Sequence, residues 1–382
     1  MTISLRRLVA VCAALGLMLA GIAAVVEAQV NQKPQSDPSR SVSQPASQQA
    51  SRLAGRVAKA DWTALPAPVV DGPFVRPQAA DIAQPIWGHA EGLQVGLCPM
   101  PGPRGLLRIY APYLGHRPGR VINFIAIEPI VEGQPRRGFS ELETSRLDAA
   151  PGKRFWSADK PDDFTPRLPQ GRPARGVISR EGEVQILRVC VLIEPFDGGA
   201  RPYLRMTFRS DRPYEVGIAT FAHKESRPMA YCIVTATMGN FARLRQLHLA
   251  GEVITAGECW PAYRKDRFGR HRNFPLADLF RTPQGAVLVA ATTDEPNPQE
   301  VKAAWQYYGQ KATQYWRCEK PDAKLIAQVN GRYTYYKSTT PIPGGIAFEN
   351  FELVEPFRDG AEFWFGVTRQ TPGELRKGDK SN

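Results

Sequence analysis

Carboxylates that close apolar runs are the residues in this chain best placed to do chemistry. Glu128 follows VINFIAI (121–127), and Glu194 follows ILRVCVLI (186–193). Glu349 and Glu352 lie in GGIAFENFE (344–352), beside Asn350 and Phe351. An apolar run of this length becomes the interior of a sheet. A carboxyl at its end loses water, and desolvation raises its pKa toward the range useful for proton transfer. Glu349 also follows a Pro343-Gly344-Gly345 turn, and glycine lets a ligand approach the backbone closely. The expectation is a catalytic pair, Glu349 as general acid with Glu128 as partner. Side chains alternate along a strand, so Glu349 and Glu352 share a face only if a bulge intervenes. The opposing expectation is that Glu349 pairs with Arg332 or Arg369 to close a sheet edge.

Aromatic rings beside cations form the second group. Thr313-Gln314-Tyr315-Trp316-Arg317 and Lys153-Arg154-Phe155-Trp156 have this character. Flat rings stack on sugar C–H faces, and arginine grips hydroxyls or carboxylates with a planar fork. Asn240, Arg243, Arg245 and His248 make a further polar series. The expected substrate-binding set is Lys153, Arg154, Trp156, Asn240, Arg243, His248, Tyr315, Trp316 and Arg317. Basic loops carry Arg167, Arg172, Arg175 and Arg180, and then Arg264, Lys265, Arg267, Arg270, His271 and Arg272. They suit either an anionic ligand or plain solvation.

Other chemistries find little support. There is no G-x-S-x-G elbow. The histidines are scattered, with no H-x-H and no H-E-x-x-H, so neither a metal nor a cofactor is expected. Asp159, Asp162 and Asp163 could hold calcium, though a solvated acidic loop is the commoner outcome. There is no C-x-x-C pair. Of the cysteines beyond Cys12, Cys190 and Cys232 lie in apolar runs. Cys259 and Cys318, near Trp260 and Trp316, are the better disulfide candidates, and Cys98 leaves the number odd.

The elements that must position these groups read as β-structure. Arg6 and Arg7, an apolar stretch from Leu8 to Val26, and small residues ending at Ala28 form a secretory signal peptide over 1–28, which implies a secreted or periplasmic protein. Residues 29–85 read as a Gln/Ser/Pro-rich tether, disordered to extended. Residues 86–372 read as one domain, and 373–382 as a polar tail. Strand-like runs at 106–110, 121–130, 186–196, 203–208, 214–221, 231–238, 286–292, 313–318, 325–336 and 362–368 are separated by glycine and proline clusters. One helix is expected over 297–308, capped by Asn297 and Glu300. Strands without alternating helices predict an all-β, mainly antiparallel fold. The expected form is a large β-sandwich or supersandwich with one or two short helices. No second membrane span is expected. Ile127-Glu128-Pro129-Ile130 is echoed by Ile193-Glu194-Pro195-Phe196 and Val354-Glu355-Pro356-Phe357. Shared strand-end chemistry explains the echo without an ancestral duplication.

The formal charge is +12, of which the first 28 residues supply a net +1 through Arg6, Arg7 and Glu27. An excess of this size favours acidic partners, and in an exported protein anionic polysaccharide or lipid outranks nucleic acid. Gly102-Pro103-Arg104-Gly105-Leu106, Asn123 to Pro129, Gly152 to Trp156 and Gly345 to Glu352 resemble an uncharacterised family of secreted bacterial proteins associated with polysaccharide degradation. That resemblance spans about residues 86–372 and brings no assigned catalytic residues. More remotely, the long strands are similar in style to the galactose-mutarotase-like supersandwich, without a counterpart of its catalytic histidine pair. These readings imply a secreted carbohydrate-active protein, a glycoside hydrolase or polysaccharide lyase acting on an anionic or substituted glycan. The alternative is a non-catalytic carbohydrate-binding or cell-surface scaffold protein. Convergence of Glu128, Glu349 or Glu194 on one cleft with Tyr315 and Arg317 would favour the enzyme, and dispersal would favour the binding protein.

Overall fold

Runs rich in valine, isoleucine and aromatic residues, broken by glycine and proline, favour strands over helices because branched side chains pack well on a pleated surface. The computed structural model describes residues 69–78, 85–97, 104–115, 121–159, 173–237, 243–293, 312–336 and 338–377. Their strands, in chain order, are β1 (Val69–Asp71), β2 (Phe74–Arg76), β3 (Ile86–His89), β4 (Gln94–Gly96), β5 (Leu106–Tyr110), β6 (Val121–Val131) and β7 (Phe155–Ala158). Then come β8 (Val177–Glu181), β9 (Val184–Ile193), β10 (Pro202–Arg209), β11 (Glu215–Ala222), β12 (Met229–Thr237), β13 (Gln246–His248) and β14 (Val253–Thr255). The series closes with β15 (Arg272–Pro275), β16 (Phe280–Arg281), β17 (Val287–Thr292), β18 (Thr313–Cys318), β19 (Ile326–Arg332), β20 (Ala347–Val354) and β21 (Ala361–Thr368).

They form two antiparallel sheets. The first runs β1-β2-β3-β4-β5-β6-β12-β20-β19-β15. The second runs β14-β13-β17-β18-β21-β11-β10-β9-β7, with β16 on β17 and β8 on β9. One continuous core lies between them. It takes Ile125 and Ile127 of β6, Phe351 and Leu353 of β20, Leu187 and Val189 of β9, and Trp316 of β18. The Trp316 indole N–H donates to the Phe351 carbonyl at 2.7 Å, tying β18 to β20 across the sandwich. Residues of opposite parity face outward. Phe124 and Ala126 do so from β6, in a cluster apart from the core.

The all-β sandwich expected from the sequence is thus the fold, with two short α-helices among the described residues, α1 (Ala256–Cys259) and α2 (Pro372–Lys377). The helix expected over 297–308 lies outside the described residues, as do the signal segment, the first part of the tether and Cys98. One boundary needs correction. The tether does not reach residue 85, because β1 and β2 pair as a hairpin about Gly72 (φ +60°) and fully bury Phe74. The polar tail opens as α2, where Thr371 and Glu374 form a reciprocal cap and Arg376 donates to the Leu249 carbonyl. Cys190, Cys232, Cys259 and Cys318 are free thiols, so the expected bridge involving Cys259 or Cys318 is absent among the described residues. Burial pushes the Cys259 thiol up to about 11 and the Cys232 and Cys318 thiols up to about 12, which keeps them protonated and unreactive. No helix of the described residues is long and apolar enough to cross a membrane.

Candidate functional site

The site begins with an irregularity between β19 and β20. Asn330 opposes Asn350, and the next pair is Gly331 with Phe348. Glu349 therefore has no residue opposite it, which is a β-bulge. Phe348 stays in the core between the sheets. Glu349 turns to the outer face of the first sheet, where its Oε1 lies 3.6 Å from Arg332 Nη1. Simple alternation put Glu349 and Glu352 on opposite faces, and the bulge corrects that. Gln328, Glu352, Thr235 and Ala126 stand opposite one another across β19, β20, β12 and β6, and Glu128 is two residues on from Ala126. Glu128, Glu349 and Glu352 thus occupy one face.

The segment 132–154 brings the cation they need. It folds back along β6, pairing Arg137 with Ile130, and the Ser140 N–H donates to the Ile127 carbonyl at 3.1 Å. The Ser140 hydroxyl donates to the Gly105 carbonyl at 2.6 Å and accepts from the Ile127 N–H at 2.9 Å. Gly105 has φ +70°, and a Cβ there would lie 1.9 Å from the Ser140 carbonyl oxygen, so only glycine allows this approach. Docked in this way, Arg137 reaches over the sheet. Its Nη2 donates to Glu352 at 2.9 Å, its Nη1 to Gln328 at 3.3 Å, and its Nε pairs with Glu128. Burial works against the Arg137 charge, but Glu128, Glu352 and Glu141 more than offset it and its pKa is raised.

A second cation completes the face. The Arg332 guanidinium lies 5.0 Å from the centre of the Phe268 ring and 5.1 Å from that of Tyr336, and it donates to the Tyr335 carbonyl at 2.8 Å. The half-exposed Tyr336 phenol is pushed up by burial and by the nearby Glu141 and Glu349 charges, with Arg332 opposing. Asn330 places its Nδ2 3.2 Å from His271 Nε2, and its Oδ1 accepts from the Asn350 N–H at 3.0 Å. Glu128, Glu352 and Arg137 are enclosed, whereas Glu141, Tyr336 and His271 are half exposed and form the solvent edge.

The polar groups of this face are not all satisfied. Glu349 Oε2, Glu352 Oε2, Asn350 Oδ1, Thr235 Oγ1, Arg332 Nε and Arg332 Nη1 are shielded from solvent and have no hydrogen-bond partner among the described residues. Each such group costs roughly 1–3 kcal/mol until something meets it. Buried acceptors concentrated in one place fit a site that receives hydroxyl or amine donors. Among the described residues no group of histidine, cysteine, aspartate and glutamate is arranged to hold a metal ion.

The other candidates lie elsewhere. Tyr315 and Arg317 face outward from the second sheet, on the far side of the sandwich. The Tyr315 hydroxyl donates to Glu215 at 2.8 Å, and Arg317 pairs with Glu215 and with Glu319. Trp316 between them is core, not platform. Lys153 is completely buried, 3.3 Å from Glu143 and 3.2 Å from Asp197. Arg154 lies 3.6 Å from Asp148. Trp156 packs on Ala158 and Leu192. Arg243 is buried with φ +44°, outside the backbone range of a strand. Arg245 donates to the Pro343 carbonyl and so braces the turn before Glu349. His248 meets the Thr292 hydroxyl at 2.8 Å. Asn240, Arg167, Arg172, Asp162 and Asp163 lie outside the described residues. Glu194 accepts the N–H groups of Arg146 and Arg154, away from this face. Arg369 donates to the Tyr113 carbonyl, which leaves Arg332 as the cation beside Glu349.

Sequence reasoning missed Arg137, Glu141, Gln328, Asn330 and Tyr336. The one local signal was the density of polar and aromatic residues from Gln328 to Tyr336 at the end of an otherwise apolar strand. Comparison with family models, curated proteins and solved structures returned no match to this chain.

Proposed function

We propose that this chain is an exported carbohydrate-active protein, a polysaccharide hydrolase whose working face is the outer side of the first sheet around Glu349. The observation that carries the reading is the bulge, which delivers Glu349 to a face already holding Glu128 and Glu352, where its Oε2 has no hydrogen-bond partner among the described residues. Glycoside hydrolysis runs on two carboxyl groups, one donating a proton and one activating water or attacking the sugar. Glu349 serves as the acid. Its proton passes to the glycosidic oxygen as the bond from that oxygen to the anomeric carbon breaks. Water adds to the anomeric carbon and gives its proton to the second carboxylate. Glu141 takes that second role, because it is half exposed and lies near both Tyr336 and Arg137. Glu128, the partner preferred from the sequence, is enclosed against Arg137 and serves to hold that arginine. The lyase alternative needs cations or amides to neutralise a uronate, whereas on this face four glutamates stand beside two arginines and Arg137 is engaged by Glu128 and Glu352.

A non-catalytic binding protein is the second reading. It is favoured by the dispersal of the aromatic and cationic candidates, with Tyr315 and Arg317 on the opposite sheet and tied to Glu215. One experiment separates the two. Purified protein is screened against a polysaccharide panel, read by new reducing ends and by absorbance of unsaturated products, alongside Glu349→Gln. The hydrolase reading expects reducing ends without unsaturated products. It expects Glu349→Gln to lower turnover by orders of magnitude while the melting temperature barely moves. Binding without turnover supports the second reading. Unchanged activity per folded molecule in the variant removes Glu349 from the mechanism.

A further inference from the structure

The charge balance of the floor bears on which sugar it takes. Glu128, Glu141, Glu349 and Glu352 gather there with two arginines, Arg137 and Arg332. Arg137 is committed to Glu128, Glu352 and Gln328. Arg332 donates to the Tyr335 carbonyl, lies 3.6 Å from Glu349 and packs on the Phe268 and Tyr336 rings, while its Nε and Nη1 have no hydrogen-bond partner among the described residues. Among the described residues the atoms left without a partner include the acceptors Glu349 Oε2, Glu352 Oε2 and Asn350 Oδ1, on residues exposed by only 7%, 0% and 1%, and the donors Arg332 Nε and Nη1, so that the face keeps more carboxylates than cations. A carboxylate oxygen only accepts. A uronic acid would bring another acceptor-only, negatively charged group to these oxygens. A hydroxyl or an ammonium brings the missing donor.

We infer, on the glycan reading above, that the ring seated on this floor is donor-rich, neutral or carrying a free amine, and that a uronate is excluded from it. Anionic substituents then belong to neighbouring rings, away from Glu349 and Glu352. The test is calorimetric titration with three oligosaccharides of equal length, one of neutral hexose, one of hexosamine with free amines and one of hexuronic acid. The neutral and amine forms are expected to bind at least tenfold more tightly than the uronate. Glu349→Gln is expected to narrow that gap by improving uronate binding, and Glu352→Gln gives the same readout where it folds. Equal or tighter binding of the uronate by the native chain overturns the inference, and so does an undiminished gap in Glu349→Gln. Both results leave the glycan reading standing. Failure of all three sugars to bind overturns the glycan reading itself, and the inference with it.

Discussion

Glu128, Glu194 and Glu355 each precede a proline near the end of a strand, and each is buried. Each also grips a segment that returns to the sheet: Glu128 holds Arg137, Glu194 takes the Arg146 and Arg154 N–H groups, and Glu355 takes the Asp322 N–H at 2.9 Å. The sequence echo is therefore shared strand-end chemistry. The carboxylate before each proline satisfies the chain that comes back, although in β6 the pairing runs on past Pro129 to Val131. Arg137 is the most exacting of these partners, since Glu128 and Glu352 both depend on it. Removing one member of a buried ion pair leaves uncompensated charge, which costs roughly 3–5 kcal/mol. Arg137→Ala is expected to destabilise by about that amount in denaturant unfolding, and adding Glu128→Gln and Glu352→Gln should recover part of the loss. A single Arg137→Ala variant as stable as the parent would show that these carboxylates do not rely on it. At this scale Glu349 and Glu128 were legible because apolar runs flank them. Arg137 was not, since PRRG in a loop does not reveal which sheet face it will cross.

Strand existence was legible and strand partners were not. The runs at 106–110 and 313–318 match β5 and β18 to the residue, because each is bounded by turn residues and packed with branched or aromatic side chains. Two- to four-residue strands such as β1, β4 and β13 leave too short a period to recognise. Assignment of a strand to one sheet or the other depends on long-range pairing, which local pattern does not encode. The bulge at Glu349 is the sharpest case, because a one-residue shift moves every side chain beyond it to the other face. Of the close approaches that seat the segment 132–154, at Gly105, Gly138 and Gly152, that of Gly105 to Ser140 is the tightest. Gly105→Ala places a Cβ against the Ser140 carbonyl oxygen at a φ that disfavours it. It is expected to lower stability by roughly 1–3 kcal/mol in chemical unfolding. It should also weaken ligand binding, because Arg137 and Glu141 ride on that segment. Parental stability in this variant would mean that the loop docks by other contacts.

At the largest scale the described residues form a sandwich with an apolar interior and two dissimilar outer faces. Its response to acid follows from groups spread over both sheets. Burial holds His248 down to about 4, with Arg376 adding to the shift, and burial also lowers His89 and His223. The unfolded chain, with histidines near 6.5, then binds more protons than the folded one as pH falls from about 6.5 to 4. Stability present above that window is lost across it. Asp148 is held down to about 2: burial raises it, but hydrogen bonds from Arg104 and Ala150 win. Its contribution is present above its unfolded pKa and is lost as pH falls further, from about 4 to 2. Melting temperature should therefore decline in two stages between pH 7 and pH 2. His248→Gln should flatten the upper stage. A melting temperature that is level from pH 7 to 4 would contradict this account.

The unopposed position of Glu349 also separates the fates of scaffold and site. Phe348 already pairs with Gly331, and Asn350 already pairs with Asn330. Loss of the one codon between them would close β20 into an unbroken, correctly alternating strand, with Phe348 still inward and Asn350 still outward. The sandwich would lose a defect and the face would lose the carboxyl proposed as its acid. Inheritance of this fold and inheritance of the proposed site are therefore separable events, and a descendant with the strand intact can still have surrendered that carboxyl.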